Sequence, residues 1–226
     1  MTLAYFAGQG LPAHLRAIPL EYFTTAFRWL SSQKEVIPGE YTLMGVSRGA
    51  ELALLVGSMY PEVNAVVGIA PSSVIFPGQP TGVIDALRGQ HSAWSVQGHE
   101  TAFVPIPYSW TALRGMVTGR RTRMFEEALR NAGAVEAAAI PVEKTRGPIL
   151  LVSFTQDEIW PSTLMANQLM DRLKNNNFPY FYRHSACNTI HSNWSIEPCW
   201  TDILSFLRER HSSRSGVSEQ PAYRNG

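Results

Sequence analysis

The ten residues GVSRGAELAL, at positions 45–54, constrain the fold more than any other part of this sequence because they join two different hydrophobic patterns. The apolar run YTLMGV predicts a buried strand, and the run that continues to Met59 predicts a helix. A serine flanked by glycines at a sharp strand-to-helix turn is typical of an exposed catalytic nucleophile. Gly45 and Gly49 allow the tight turn and the close approach of the two elements. We therefore predict that Ser47 is a nucleophile, with a purely structural turn as the alternative.

Strand patterns alternate with helical patterns along most of the chain. The predicted strands are 3–6, 41–46, 64–70, 148–154 and 178–182, and the predicted helices are 19–30, 51–59 and 200–210. This alternation predicts an α/β fold with a mostly parallel sheet and helices on both faces. Residues 72–118 are rich in aromatics without a clear period, so a cap or a plain surface excursion is expected there, and we assign 72–140 as a cap or insertion. The catalytic domain is expected over 1–211, followed by a disordered tail at 212–226.

The overall charge argues against two classes of partner. At a net charge of +1 over 226 residues, the chain has no electrostatic reason to bind nucleic acid or an anionic membrane. Its apolar runs are far shorter than the roughly 20 residues of a membrane-spanning helix, and no signal-peptide pattern is visible. Cys187 and Cys199 lack the spacing of metal ligands and are predicted to be reduced thiols, which favours a cytoplasmic protein. No metal or cofactor site is expected.

A serine hydroxyl needs a general base and an acid that orients the base. Because ligands bind at the carboxyl ends of parallel strands, the acid and the base should follow later strands of the same sheet. Asp157 follows the fourth predicted strand and is the predicted acid, with Glu158 as its neighbouring competitor. His184 and His191 both follow the last predicted strand, and His191 is favoured as the base because it has the greater reach. The backbone N–H of Arg48 is the predicted oxyanion donor.

Three stretches carry a family resemblance. LEYF, GVSRGAEL and IPVEK together resemble the carboxyl-terminal catalytic domain of the acyl-CoA thioesterase and bile-acid-CoA:amino-acid N-acyltransferase family, and the likeness covers most of residues 3–210. The resemblance implies an α/β-hydrolase fold, an acyl-CoA substrate and an acyl-enzyme on Ser47, with Asp157 and His191 as acid and base. In that family the thioesterases carry serine at the nucleophile and the amino-acid transferases carry cysteine. The resemblance therefore implies hydrolysis to a fatty acid and CoA.

The chain departs from the family pattern in three places. The loop YRHSACNTIHSNWSIEP lacks the usual glycine-histidine pair around the base, and the family's amino-terminal β-sandwich is expected to be absent. Matching LAYF to the fourth strand of the usual sheet leaves out the preceding strand with its oxyanion loop, so the sheet is expected to be incomplete at the N-terminus. Either LAYF moves across to pair with YTLMGV, or the sequence is a fragment of a longer protein. Because one lost oxyanion donor costs about 100- to 1,000-fold in rate, weakened activity is expected.

The fold and the catalytic residue types do not fix the acyl acceptor or the leaving group. An acyltransferase or a carboxylesterase on the same scaffold is the alternative enzyme, and a non-catalytic acyl-binding homologue is the alternative outside catalysis. Contacts to CoA are not marked by a glycine-rich phosphate loop. Four arginines are candidates for such contacts, with a solvated helix face as the alternative: Arg114, Arg120, Arg121 and Arg123.

Overall fold

The computed structural model describes residues 1–79, 89–191 and 197–212, without the side chains at 198 and 210–212. The strands are β1 (Ile18–Pro19), β2 (Tyr41–Val46), β3 (Val63–Ile69), β4 (Trp94–Val96), β5 (His99–Glu100), β6 (Ile149–Phe154) and β7 (Tyr182–Cys187). The helices are α1 (Tyr22–Ser31), α2 (Arg48–Met59), α3 (Trp110–Thr118), α4 (Thr122–Ala128), α5 (Ala132–Ala137), α6 (Ser162–Asn175) and α7 (Glu197–Ser212). A short 3₁₀ turn covers Val142–Lys144.

Four parallel strands form the main sheet, in the order β2-β3-β6-β7. Their apolar side chains alternate between the two faces, as expected for strands buried on both sides. On one face, Val66 and Leu151 join the core that includes α2 and α6. On the other face, Val67 and Val152 pack against α7 through Ile203 and its neighbours. The predicted parallel α/β sheet with helices on both faces is confirmed.

The register of the sheet places the carboxyl ends of its strands along one edge. Val46 pairs with Ile69 at the ends of β2 and β3, and Phe154 pairs with Cys187 at the ends of β6 and β7. Side chains in the loops that follow β2, β6 and β7 therefore share this edge. This is the edge at which parallel sheets bind ligands.

The segment between β3 and β6 contains β4, β5 and helices α3–α5. β4 pairs with β1 and with β5 in a small second sheet, so the segment is tied to the residues that precede α1. The assignment of 72–140 as a cap, within a domain over 1–211, stays a prediction. The predicted tail at 212–226 lies outside the described residues, apart from Ser212 at the end of α7.

The predicted strand at 3–6 is wrong. These residues have no strand structure, and Tyr5 instead packs its ring 5.6 Å from Trp94 and 6.4 Å from Phe23. LAYF therefore does not move across to β2, which has β3 as its one strand partner within the described ranges. Met44 of β2 is 53% exposed. A run of four apolar residues can form a strand, or it can lie in a loop whose side chains pack into the core. The sequence pattern alone does not distinguish these two possibilities.

The predicted position of the last strand is also wrong. The strand is Tyr182–Cys187, whereas 178–182 is mostly irregular and ends where the strand begins. β7 lies at the end of the sheet order, and most of its residues are half-buried and polar, so it lacks the apolar run of a central strand. As a result, His184 lies within the last strand and does not follow it.

The prediction of two reduced cysteines is contradicted as well. Cys187 at the end of β7 and Cys199 in α7 form a disulfide, with their Cα atoms 5.9 Å apart and a separation of 12 positions in the sequence. This Cα separation is within the normal range for a disulfide. The pairing depends on how α7 packs against β7, which the spacing of the cysteines in the sequence does not reveal. In the part of the chain that is described, no helix combines the length and apolar character needed to cross a membrane.

Candidate active site

Ser47 occupies the corner between β2 and α2. Its φ of 56° and ψ of −119° lie in a region that favours glycine, so a serine there is strained. The corner is fixed by backbone hydrogen bonds: the Ser47 N–H donates to the Ile69 carbonyl at 2.8 Å, and the Ser47 carbonyl accepts from the N–H of Ala50 at 2.9 Å. A strained residue held by its neighbours in this way is a feature of functional sites.

The two glycines beside Ser47 have different roles. A Cβ atom added to Gly45 would lie 1.9 Å from the carbonyl oxygen of Gly49, so only glycine fits at position 45. A Cβ added to Gly49 would meet no atom within 4 Å. The close approach predicted for both glycines is therefore a property of Gly45.

Arg48 is the first residue of α2, so its backbone N–H belongs to the turn that has no partners within the helix. Among the described residues this N–H donates no hydrogen bond. The positive end of the helix dipole favours an anion at this place. The role of Arg48 as an oxyanion donor stays a prediction, and the geometry of the corner is compatible with it.

Asp157 and His191 lie together in the loops that follow β6 and β7. His191 Nδ1 is 2.9 Å from Asp157 Oδ1 and 3.0 Å from Oδ2, and both side chains are 2% exposed. The carboxylate is further held by the backbone N–H groups of Ile159 and Trp160, at 3.0 and 3.1 Å, and by the Ser162 hydroxyl at 2.6 Å. A carboxylate held this firmly fixes the orientation of the imidazole ring.

The two competing residues have other partners. Glu158 accepts a hydrogen bond from the backbone N–H of His191 at 3.1 Å, so it stabilises the loop that carries the histidine. The imidazole ring itself is bonded to Asp157. His184 Nε2 lies 2.7 Å from the hydroxyl of Ser153 on the neighbouring strand, and burial lowers the pKa of His184. Among the described residues, His184 therefore has no carboxylate that could orient its ring.

The structure brings Asp157 and His191 into contact but does not join Ser47 to them. The Ser47 hydroxyl has no hydrogen bond to His191 or to any other described residue. One strand separates β2 from β6, which places these strand ends about 10 Å apart. Hydrogen bonds to a nucleophile are often long before substrate binds, so this spacing does not remove Ser47 from the candidate site.

A cavity of about 410 Å³ reaches the corner at Arg48, and Ser47, Asp157 and His191 are not among its lining residues. Its lining is mostly apolar side chains from α3, α4 and the segment before them, and the Arg48 side chain reaches it from the corner. Of the four arginines named as CoA candidates, Arg121 lines this cavity, and all four are exposed. Over the described ranges, no group of three or more His, Cys, Asp or Glu residues could hold a metal ion.

Sequence reasoning missed a buried network next to Ser47. Glu51 is fully buried and accepts hydrogen bonds from the Arg48 side chain, from Trp94 Nε1 and from the backbone N–H of Phe76. A single acidic residue inside the apolar helix RGAELALLVGSM was the available signal. The partners on the loop after β3 and on β4 could not be read from the sequence.

Comparison with known proteins identifies relatives of this chain. The family model described as "BAAT / Acyl-CoA thioester hydrolase C terminal" matches residues 18–184. A mouse peroxisomal succinyl-coenzyme A thioesterase is 27% identical over 174 residues, which cover 77% of this chain and 38% of that protein. Mouse acyl-coenzyme A amino acid N-acyltransferase 1 is 30% identical over 178 residues, covering 77% of this chain and 37% of that protein. The chain thus spans less than two fifths of the length of these relatives.

The names of the relatives include a peroxisomal and a mitochondrial protein, so the cytoplasmic location stays a prediction.

Solved structures share the fold at low sequence identity. A puromycin-hydrolyzing peptidase of Mycobacterium tuberculosis has a TM-score of 0.52 at 13% identity and covers 92% of this chain and 27% of its own. An acylaminoacyl peptidase of Pyrococcus horikoshii has a TM-score of 0.50 at 8% identity and covers 90% and 28%. With the family model matching most of its length, the chain belongs to the BAAT / acyl-CoA thioester hydrolase family, to whose C-terminal domain it corresponds.

Proposed function

We propose that this chain is a serine hydrolase that cleaves acyl-CoA thioesters to a free fatty acid and CoA through an acyl-enzyme on Ser47. The observation that carries the proposal is the buried hydrogen-bonded pair of Asp157 and His191, at the same sheet edge as a serine with strained backbone. Family membership supports an acyl-CoA substrate. The serine at position 47 supports hydrolysis, because the resemblance assigns cysteine to the transferases.

Each residue has a defined part in the proposed reaction. Asp157 accepts a hydrogen bond from Nδ1–H of His191, which leaves Nε2 to take the proton of the Ser47 hydroxyl. The serine oxygen then attacks the thioester carbonyl, and the Arg48 N–H stabilises the oxyanion. Collapse of the tetrahedral intermediate breaks the carbon–sulfur bond, and the CoA thiolate takes the proton from His191. A water that gives its proton to His191 then attacks the acyl-serine, and the Ser47 oxygen takes this proton from His191 as the fatty acid leaves.

The cavity beside the corner is the proposed site for the acyl chain. Its volume of about 410 Å³ is within the range of pockets for small molecules, and its lining is mostly apolar. Phe125 lines the cavity and lies 5.9 Å from Trp160, whose ring is 6.3 Å from that of His191. Two aromatic side chains, Phe125 and Trp160, therefore connect the cavity to the acid–base pair.

Acyl transfer to an amino acid is the second candidate, because one relative at 30% identity is named as an amino acid N-acyltransferase. In that reaction an amine would replace water in the second step. Adding an amino acid to the assay distinguishes the two, since transfer yields an N-acyl amino acid and hydrolysis yields the free acid.

The test compares hydrolysis of palmitoyl-CoA with that of p-nitrophenyl esters by the full chain. We expect CoA release that is lost in Ser47→Ala and retained in Ser32→Ala, which alters an exposed serine of the surface. Activity on esters alone would contradict the thioesterase proposal and leave a carboxylesterase. Failure to turn over either substrate would favour the non-catalytic acyl-binding protein.

A further inference from the structure

Glu51 is a buried carboxylate in the first turn of α2, directly behind the candidate nucleophile. It is 0% exposed, and each of its oxygens accepts two hydrogen bonds. Oε1 accepts from Arg48 Nη1 at 3.2 Å and from Trp94 Nε1 at 2.8 Å, and Oε2 accepts from Arg48 Nη1 at 2.9 Å and from the Phe76 N–H at 3.4 Å. A charge removed from water is tolerated only when it is paired and hydrogen-bonded, and Glu51 meets both conditions.

The guanidinium of Arg48 extends this network away from α2. It donates to the carbonyl of Pro77 in the loop after β3. Its central carbon lies 6.0 Å from the ring centroid of Phe76 and 5.8 Å from that of Trp160, which are cation–π distances. The Arg48 side chain is therefore held by four groups from three segments of the chain: Glu51 in α2, Phe76 and Pro77 in the loop after β3, and Trp160 in the loop after β6.

Trp160 carries the network to the acid–base pair. Its ring lies 6.3 Å from the His191 ring, and its backbone N–H donates to Asp157 Oδ1 at 3.1 Å. A continuous series of contacts thus runs from Glu51 through Arg48 and Trp160 to the pair. No hydrogen bond from the Ser47 hydroxyl to a described residue provides a direct link between the corner and the pair.

We propose that Glu51 and Arg48 are positioning residues, which hold the acid–base pair in register with Ser47 through Trp160. The inference rests on the proposed function, since it assumes that Ser47 and His191 react together. The pair of Arg48 and Glu51 would then affect catalysis as well as the stability of the fold. A purely structural role would affect stability but not the reactivity of the folded protein.

The charge of Arg48 should affect the pH profile of kcat/KM, which a purely structural role would not change. With Glu51 ionised, the charge of Arg48 is compensated, and Arg48 in turn opposes the rise in the pKa of Glu51 that burial causes. Glu51→Gln leaves the guanidinium uncompensated, no more than about 12 Å from the imidazole. An unpaired positive charge disfavours a second positive charge on the imidazole. We expect the acidic limb of kcat/KM to move about 0.5–1 pH unit towards lower pH.

The other titratable groups near the two ends of the network are unchanged in this variant. Tyr5 lies close enough to Arg48 and Glu51 to sense both charges, and its pKa is raised mainly by burial. Asp157 and Glu158 contact His191 directly. These groups contribute equally before and after the substitution, so the movement of the pH limb reports on the Arg48 charge.

The experiment measures the rate at which a fluorophosphonate probe labels Ser47, together with the pH profile of kcat/KM and the unfolding temperature. For Glu51→Gln we expect labelling of the folded protein to slow about tenfold, with the pH shift given above. For Arg48→Lys we expect slower labelling without a pH shift, because the charge stays while the planar stacking and the bond to Pro77 are lost. If Glu51→Gln does not fold, Arg48→Lys decides the question.

Glu143→Gln is the matched control, because Glu143 also forms a hydrogen-bonded pair with an arginine, Arg172, away from the candidate site. For Glu143→Gln we expect a lower unfolding temperature, while the rate of Ser47 labelling and the pH profile of kcat/KM stay as in the wild type. Wild-type labelling and pH limb in both Glu51→Gln and Arg48→Lys would overturn the positioning role, even if both variants were less stable. A wild-type chain that neither labels nor hydrolyses acyl-CoA would instead overturn the proposed function, and this inference with it.

Discussion

His191 Nδ1 lies 2.9 Å from Asp157 Oδ1 in a site where both side chains are 2% exposed. The two residues are 34 positions apart and are brought together because β6 and β7 are neighbours whose ends share one edge of the sheet. The carboxylate accepts from two backbone N–H groups and one hydroxyl besides the imidazole. This environment fixes the carboxylate before any substrate arrives.

Asp157→Asn tests whether this carboxylate orients the base. An amide of the same shape keeps the packing but can donate to Nδ1, which stabilises the wrong tautomer of His191. We expect kcat for palmitoyl-CoA to fall by about 10⁴-fold. Asp171→Asn on the exposed side of α6 is the control and should retain wild-type turnover. Wild-type labelling of Ser47 by a fluorophosphonate in Asp157→Asn would show that another group is the acid.

His191→Gln and His184→Gln together decide which histidine is the base. His184 of β7 is hydrogen-bonded to Ser153 of β6 and has no carboxylate partner among the described residues, so its loss should change kcat/KM by less than about threefold. Removal of the base, in contrast, should lower kcat by at least about 10³-fold. Steady-state hydrolysis of palmitoyl-CoA by both variants gives the answer. A larger loss in His184→Gln than in His191→Gln would reverse the assignment.

Ser47→Gly should be more stable than Ser47→Ala, although both should be inactive. The φ of 56° at this position costs a side chain about 1–3 kcal/mol, and glycine removes that cost. The greater freedom of glycine in the unfolded chain opposes the gain by about 0.4–1 kcal/mol. We expect a net difference of about 1 kcal/mol in the free energy of unfolding by urea. Equal stability of the two variants would show that the corner is not strained.

The disulfide between Cys187 and Cys199 closes the loop that carries His191, so reduction should lower stability. For a loop of this length the expected loss is about 3 kcal/mol. Cys187→Ser, Cys199→Ser and the double variant should lose similar amounts, because the second cysteine contributes no link once the first is gone. Urea unfolding of the three variants measures this. Two alkylatable thiols in the denatured, unreduced wild-type protein would contradict the pairing.

The sequence predicted the apolar strands of the main sheet better than its polar strand. β3 and β6 lie inside the sheet order and are buried almost throughout, so each appears as a continuous apolar run that can be read without a structure. β2 ends the sheet order and is only partly buried, but its residues YTLMGV still form a mostly apolar run. β7 lies at the end of the sheet order and is polar along most of its length, and its position was wrong by several residues. LAYF has the apolar character of a strand, but its Tyr5 belongs to an aromatic cluster with Trp94.

The candidate site shows the same division. Ser47 could be chosen because it directly follows an apolar strand, and Asp157 because it lies three positions after the end of another. The structure places both residues in loops at one edge of the sheet. The network of Glu51 and Arg48 could not be predicted, because its partners Trp94 and Trp160 come from distant segments. The disulfide was missed for a similar reason, since it depends on the packing of α7 against β7.

Trapping the acyl-enzyme tests the central claim most directly. The full chain is mixed with palmitoyl-CoA, quenched in acid within a single turnover, and digested for peptide mass analysis. We expect one palmitoyl group on the peptide that contains Ser47, and no adduct in Ser47→Ala. Release of CoA without an acyl group on Ser47, or with the acyl group on another residue, would contradict it.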